Sequence, residues 1–121
     1  LNRAISRMKK RTDKTIMVNI KGGTVRINLA NIFYIESQGH TLILHTILGD
    51  YETIGTMKEM EEKLDGMSFC RGNKGYLINL QHVDSVQDGC AVVRGEQLVL
   101  SRARKKEFME CLTEYWGEMI K

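Results

Sequence analysis

The sequence predicts a mainly β domain, an elongated arrangement of small antiparallel β-sheets with one short internal helix and a C-terminal helix. Three observations carry that reading. Between residues 15 and 100, apolar and polar side chains alternate with period two in a series of short runs. Glycine-containing turn sequences separate those runs. Beyond the first thirteen residues, helical spacing of apolar residues is clear only after Thr56 and after Ser101. The chain contains no proline, so no run is interrupted by a residue that cannot donate to a ladder. At 121 residues, one domain with one core is expected.

Each element follows from its residues. Ile16, Val18 and Ile20 alternate with Thr15, Met17 and Asn19; Val25, Ile27 and Leu29 alternate with Thr24, Arg26 and Asn28. Lys21-Gly22-Gly23 between them predicts a hairpin turn, because glycine accepts positive φ without steric cost. Residues 32–37 form a third strand, Gln38-Gly39-His40 a turn, and residues 41–46 a fourth strand. Gly49-Asp50 reads as the next turn and residues 51–54 as a fifth strand. Thr56-Met57-Lys58-Glu59 matches a capping box, in which the Thr hydroxyl and the Glu carboxylate each satisfy a backbone N–H of the first turn. Met57, Met60 and Leu64 then share one helical face, and Gly66 follows the helix end. Arg71-Gly72-Asn73-Lys74 reads as a loop ahead of a strand at residues 76–79, and Leu80-Gln81-His82 as one short turn. Residues 83–86, 91–94 and 97–100 alternate again, across turns at Asp88-Gly89 and Gly95-Glu96. Ser101 caps a final helix on which Phe108, Leu112, Tyr115 and Met119 share a face. Upstream, Leu1, Ile5 and Met8 fit one helical face, and residues 1–14 read as a basic linker ahead of a domain at 15–121.

Composition narrows the function classes. The chain is 42% hydrophobic and 27% charged, as a soluble globular domain is. No apolar run approaches the roughly 18 residues of a membrane span, and no apolar h-region follows the basic start as a signal peptide requires. The first residue is not Met, which is expected of a piece of a longer protein. Cys70, Cys90 and Cys111 are odd in number and widely spaced, the pattern of free thiols in a reducing cytoplasm; Cys70, beside the 71–74 loop, is the one with a possible redox role. Neither C-x-x-C nor His-rich ligand spacing occurs, so no metal or other cofactor is expected. The net charge is only +3, but it is unevenly spread. Residues 1–14 carry six cations against one acid, and residues 70–106 carry seven against three, an asymmetry suited to a polyanion.

No enzymatic constellation is persuasive. His40, His45 and His82 are scattered, no glycine pattern cradles phosphate, and the one available thiol pairing is Cys70 with His40 or His82. What remains is three polar, cationic turns: Gln38-Gly39-His40-Thr41, Arg71-Gly72-Asn73-Lys74 and Ser101-Arg102-Ala103-Arg104-Lys105. Arg and Lys donate to phosphates and to guanine O6 and N7, Asn and Gln pair with adenine N6 and N7, and His donates to either kind of group. Each turn taken alone reads more readily as a solvated connection; it is their conjunction on one domain that raises the DNA-binding reading. A β-rich protein-interaction module, adding strands to a partner through its hairpin edges, is the alternative function.

Several ordered blocks resemble the LytTR DNA-binding domains of bacterial response regulators, the LytR/AgrA family. Residues 31–37, Asn-Ile-Phe-Tyr-Ile-Glu-Ser, are similar to the family's D-I-x-Y-I-E-[AS] strand. Tyr51-Glu52-Thr53 and Met57-Lys58-Glu59-Met60-Glu61 resemble its strand-then-helix segment. Phe69-Cys70-Arg71 through Tyr76-Leu77-Ile78-Asn79 resembles F-x-R-x-H-[RK]-S-[FY]-[LIV]-[LIV]-N, and Leu98-Val99-Leu100-Ser101-Arg102 the closing [LI]-P-[LIV]-S-R. The likeness runs from about residue 15 to residue 116.

The resemblance implies three small antiparallel sheets whose loops enter successive major grooves of bent, double-stranded DNA with repeated half-sites. It implies an upstream receiver domain, a second copy on the same DNA, RNA polymerase as a candidate partner, and a place in the bacterial cytoplasm. Quorum-sensing, bacteriocin or virulence genes are the family's usual targets. Carried over position by position, the DNA-contacting residues expected are His40, Asn73, Lys74, Arg102 and Arg104, supported by Gln38, Thr41, Arg71, Tyr76, Ser101 and Lys105. Two positions depart from the pattern: Asn73 stands where His is usual and Gly75 where Ser is usual. Some members place the closing contact at the position of Ala103, so Arg102 or Arg104 must substitute. Arg71 is open between a phosphate contact and an internal pair with an acid such as Glu36.

Overall fold

The computed structural model describes residues 14–120, with side chains through Gly117. The helical face read for Leu1, Ile5 and Met8, and the side chain of Met119, lie outside the described residues. Ten strands and two α-helices follow in order: β1 (Thr15–Ile20), β2 (Gly23–Asn28), β3 (Ile32–Gln38), β4 (Thr41–Thr46), β5 (Gly49–Ile54), α1 (Met57–Lys63), β6 (Phe69–Asn73), β7 (Tyr76–Asn79), β8 (Val83–Gln87), β9 (Cys90–Val93), β10 (Glu96–Val99) and α2 (Arg102–Ile120). Single 3-10 turns at Leu29–Asn31 and Leu80–His82 lead into β3 and β8.

The strands form three antiparallel sheets: β1-β2, a central β5-β4-β3-β7-β6, and β10-β9-β8. The expected mainly β architecture is therefore present, with the turns shifted in places. The β4–β5 turn is Ile47-Leu48 rather than Gly49-Asp50, since Thr46 pairs with Gly49. Thr46 Oγ1 donates to Gly49 O at 2.6 Å and accepts from Leu48 N–H at 3.1 Å, a side-chain clasp that makes the turn without glycine in it. The last hairpin turns at Arg94-Gly95, one residue earlier than expected, with φ of 54° and 86°. Asp88-Gly89 has the same form, φ 53° and 76°. Two successive positive φ values give the primed turn whose twist suits a two-residue hairpin.

Two buried clusters replace the single core expected, because the central sheet is covered on both faces. On one face Ile35, Leu42, Leu44 and Leu77 meet Ile16, Val18 and Ile27 of the first sheet and Met57, Met60 and Leu64 of the capped helix segment. On the other, Cys70 and Ile78 meet Ala91, Val93 and Leu98 of the third sheet and Phe108 and Leu112 of α2. Strand alternation assigns neighbours to opposite faces, so Leu77 and Ile78 serve different clusters. In β3 the alternation is broken at Phe33, where the register against β4 slips by one residue. That bulge lets Ile32 and Ile35 share the first cluster while Phe33 and Tyr34 pack on the second.

Asn79 is fully buried and ties the end of β7 to the two 3-10 turns and to the residue before β6. Its amide donates to Leu29 O at 3.1 Å and Ile32 O at 2.8 Å. Its carbonyl oxygen accepts from Ser68 Oγ at 2.9 Å and from Gln81 N–H at 3.0 Å. With both ends satisfied, the buried amide avoids the desolvation cost of an unpaired polar group.

Candidate nucleic-acid interface

The three polar turns come together at one edge. Pairing of Glu36 with Tyr76 brings the end of β3 and the start of β7 to the same end of the central sheet. Gly75 O accepts from Ser37 N–H at 2.9 Å, joining the β6–β7 turn to the base of the β3–β4 turn. Gly72 O accepts from Ser101 N–H at 2.8 Å, joining the same hairpin to the start of α2. The middle turn is thus hydrogen-bonded to each of its neighbours.

In the first turn Gly39 has φ 64°, and Gln38 and His40 are exposed beside half-buried Thr41. The backbone of His40 is fixed by Gly55 N–H, which donates to its carbonyl at 3.0 Å. Gln38 Nε2 lies 3.4 Å from Glu36 Oε2. The other oxygen of Glu36 meets His45 Nε2 at 2.9 Å, and His45 Nδ1 meets Asp50 Oδ1 at 3.1 Å. The imidazole stacks on Tyr34, centroids 4.3 Å apart. Burial first, then the charges of Glu36 and Glu96, pushes the Tyr34 phenol up to about 12. Sequence reading missed this support. With Gly49-Asp50 read as the turn, Asp50 was not placed on a strand; the two-residue turn at Ile47-Leu48 is what sets it opposite His45.

The second turn is shorter than expected. Phe69–Asn73 is a strand, and only Lys74 and Gly75 project beyond the ladder. A bulge at Gly72 shifts the register, so Arg71 faces Leu77 while Asn73 faces Tyr76. Arg71, whose side chain is 11% exposed, turns toward α1. Its NH1 pairs with Glu61 at 2.9 Å, its Nε donates to Asn73 O at 3.1 Å and its NH2 to Lys74 O at 3.2 Å. The internal partner is therefore Glu61, not Glu36: from β6 Arg71 shares the face of Phe69, which packs with α1, and Glu36 is engaged by His45. Asn73 is also held within the protein. It accepts from Gly75 N–H and donates to Val99 O, both at 2.6 Å. Tyr76 is half-buried, its ring edge-on to Tyr34 at 5.7 Å. Lys74 is exposed.

At the third turn Ser101 Oγ accepts from Arg104 N–H at 3.3 Å and Ser101 O accepts from Lys105 N–H at 2.9 Å. Arg102, Lys105 and Lys106 are exposed and Arg104 is half-buried. Four cations with no acid occupy the first five residues of α2, at the end where the helix dipole already favours anions. Such a placement works against the helix unless an anion meets it. Lys106 and Val99, 58% exposed beside the Asn73 clasp, belong to this edge although no turn motif marks them.

Thiol chemistry with histidine finds no support in the geometry. Cys70 is buried, and His82 Nε2 donates to Ala30 O at 2.6 Å while its ring packs edge-on against Phe33. Among the described residues no group of His, Cys, Asp or Glu side chains is arranged to hold a metal.

A family model described as the LytTr DNA-binding domain matches residues 22–113. The chain belongs to the LytTR family. This LytTR domain is 32% identical over 79 residues to a sensory transduction protein LytT of Oceanobacillus iheyensis, covering 64% of the chain and 32% of the relative. It is 25% identical over 114 residues to a Bacillus cereus LytT, covering 85% of the chain and 46% of the relative. It is 24% identical over 113 residues to the transcriptional regulatory protein LytR of Staphylococcus aureus, covering 88% of the chain and again 46% of the relative. The chain therefore spans less than half the length of each of these curated relatives. In fold it is similar to a solved LytTr DNA-binding domain from Bacillus cereus, with TM-score 0.69 at 15% identity, covering 83% of this chain and 97% of that one.

Proposed function

We propose that this LytTR domain binds double-stranded DNA in a sequence-specific manner as the output domain of a bacterial two-component transcription regulator. The observation that carries the reading is the convergence of three polar turns, two of them cationic and the middle one hydrogen-bonded to each neighbour, at one end of the central sheet. The turns enter successive major grooves. His40, Lys74 and one of Arg102 and Arg104 reach base edges, while Gln38, Thr41, Ser101 and Lys105 contact phosphates. Arg71, Asn73 and Tyr76 hold the middle turn in place. Residues 1–14 link the domain to a receiver, in keeping with the greater length of the curated relatives and their names. A second copy binds a repeated half-site, RNA polymerase is the downstream partner, and the protein works in the cytoplasm.

Selection from a random duplex pool, followed by titration at several salt concentrations, tests this. Lys74→Ala and Arg104→Ala are each expected to weaken binding to the selected site by about 1–3 kcal/mol where they read a base. Each lost phosphate contact lowers the slope of log K against log salt by about 0.9. Failure to bind any duplex at moderate salt, with the fold intact, overturns the proposal in favour of a protein-interaction module.

A further inference from the structure

An apolar turn stands at the far end of the central sheet from the three polar turns. β4 runs from Thr41, in the first polar turn, to Thr46, and the two-residue turn that follows is Ile47-Leu48. These two residues are 54% and 77% exposed. Two-residue hairpin turns ordinarily carry glycine, asparagine or aspartate. Here the sequence places two large aliphatic side chains at the tip and fixes them there. The Thr46 hydroxyl bonds to Gly49 O and Leu48 N–H, and Ile47 N–H donates to Asn31 O at 2.9 Å. Within the domain both side chains stay mostly in water, so the tip adds little to the stability of the fold.

The described chain enters at this same end. Lys14 O accepts from Leu29 N–H at 3.0 Å, Leu29–Asn31 is the first 3-10 turn, and Asn31 is the residue that fixes Ile47. Two hydrogen bonds and one turn separate Lys14 from the apolar tip.

We propose that Ile47 and Leu48 dock the upstream domain of the full-length protein, seating in an apolar pocket on its surface and holding it at the end of the central sheet away from DNA. This rests on the reading above for the existence of that domain, in keeping with curated relatives that share 46% or less of their length with this chain. Two side chains make a contact far below the roughly 1,000 Å² that an untethered partner needs. A second copy or RNA polymerase would therefore require a larger patch. A tethered domain does not. Residues 1–13 reach about 45 Å even at full extension. A tether this short sets a local concentration on the order of 1 mM, so a contact with an intermolecular Kd of about 0.1 mM is closed about nine-tenths of the time.

Hydrogen exchange of the amides of residues 47–49, compared between the full-length protein and the 121-residue chain, tests the docking. Exchange is expected to be about tenfold slower in the full-length protein, the ratio that the local concentration gives. The exposed Asp88-Gly89 turn serves as the unchanged reference. Ile47→Thr combined with Leu48→Gln, at two exposed positions, is expected to remove the difference and to raise the radius of gyration of the full-length protein in small-angle scattering. Equal exchange in the two proteins, or an unchanged radius of gyration in the variant, overturns the proposal. So does protection that grows with the concentration of the 121-residue chain, which makes the occupant a second copy, or protection that appears only with duplex. A full-length protein whose tip is protected but which binds no duplex refutes the proposed function and leaves the docking standing. One that binds duplex with the tip unprotected does the converse.

Discussion

Arg71 and Lys74 are both cations in one short stretch, yet the structure gives them opposite surroundings. The Arg71 guanidinium directs its three nitrogens to Glu61, Asn73 O and Lys74 O. A planar fork suits three acceptors in different directions; an ammonium does not. Arg71→Ala is expected to lower stability by about 2 kcal/mol, the scale of lost charge-assisted hydrogen bonds, with Arg71→Lys restoring little of it. It is expected to weaken DNA binding while leaving the salt slope unchanged, because no phosphate contact is lost. Lys74→Ala is expected to spare stability and to weaken binding to the selected site by about 1–3 kcal/mol, the cost of a lost base contact. Denaturant unfolding beside salt titrations separates the two, and a salt-slope change for Arg71→Ala would make it a contact residue after all. The sequence left Arg71 open because its partner depends on which face of the sheet α1 covers, and that is decided by packing across distant segments. Asn73 was opaque for a related reason: its amide meets a carbonyl 26 positions away.

At the scale of elements, what the sequence showed best was local chemistry. The capping box at Thr56 forms as expected, with Glu59 N–H donating to Thr56 Oγ1 at 3.2 Å and Thr56 N–H donating to Glu59 Oε1 at 3.0 Å. The Asp88-Gly89 turn is equally legible, since its two positions need positive φ. Strand β6 was not, because Gly72 between two cations reads as a loop. Its purpose is a close approach. A Cβ at Gly72 would lie 2.7 Å from Ile78 Cδ1 and 3.0 Å from Leu100 Cδ2, both on buried side chains. The bulge at the same residue turns Asn73 toward Val99. Gly72→Ala is therefore expected to cost about 1–3 kcal/mol through overpacking. It should also weaken DNA binding by more than its stability loss explains, because the strand carries both the second turn and the bond to Ser101. By contrast a Cβ at Gly75 meets only Asn73 Oδ1 at 3.6 Å and Ser37 O at 3.9 Å, so alanine fits there without rearrangement. Equal effects of alanine at positions 72 and 75 would show that the close approach is not what requires glycine.

Over the whole molecule, the central sheet is the shared wall of two clusters, and the three polar turns stand at one end of that wall. Neither cluster is complete without it: Leu77 and Ile78 are adjacent, nearly inaccessible, and face opposite ways. The strand at β7 was visible in the sequence, but a strand buried on both faces reads as a continuous apolar run, so the existence of two covering layers was not. The shared wall predicts one cooperative unit rather than two. Leu77→Ala and Ile78→Ala are each expected to cost about 2–5 kcal/mol, from lost burial plus the cavity left behind. Both should shift a single unfolding transition followed by circular dichroism and by fluorescence of Trp116, which lies on α2, the helix that carries Phe108 and Leu112 of the second cluster. If Leu77→Ala lowered the transition seen by circular dichroism while leaving the Trp116 transition in place, the two sides would be separate folding units. The first turn's support and the third turn's helix would then be coupled only through the hydrogen bonds at Gly72 and Gly75, and not through the packed sheet between them.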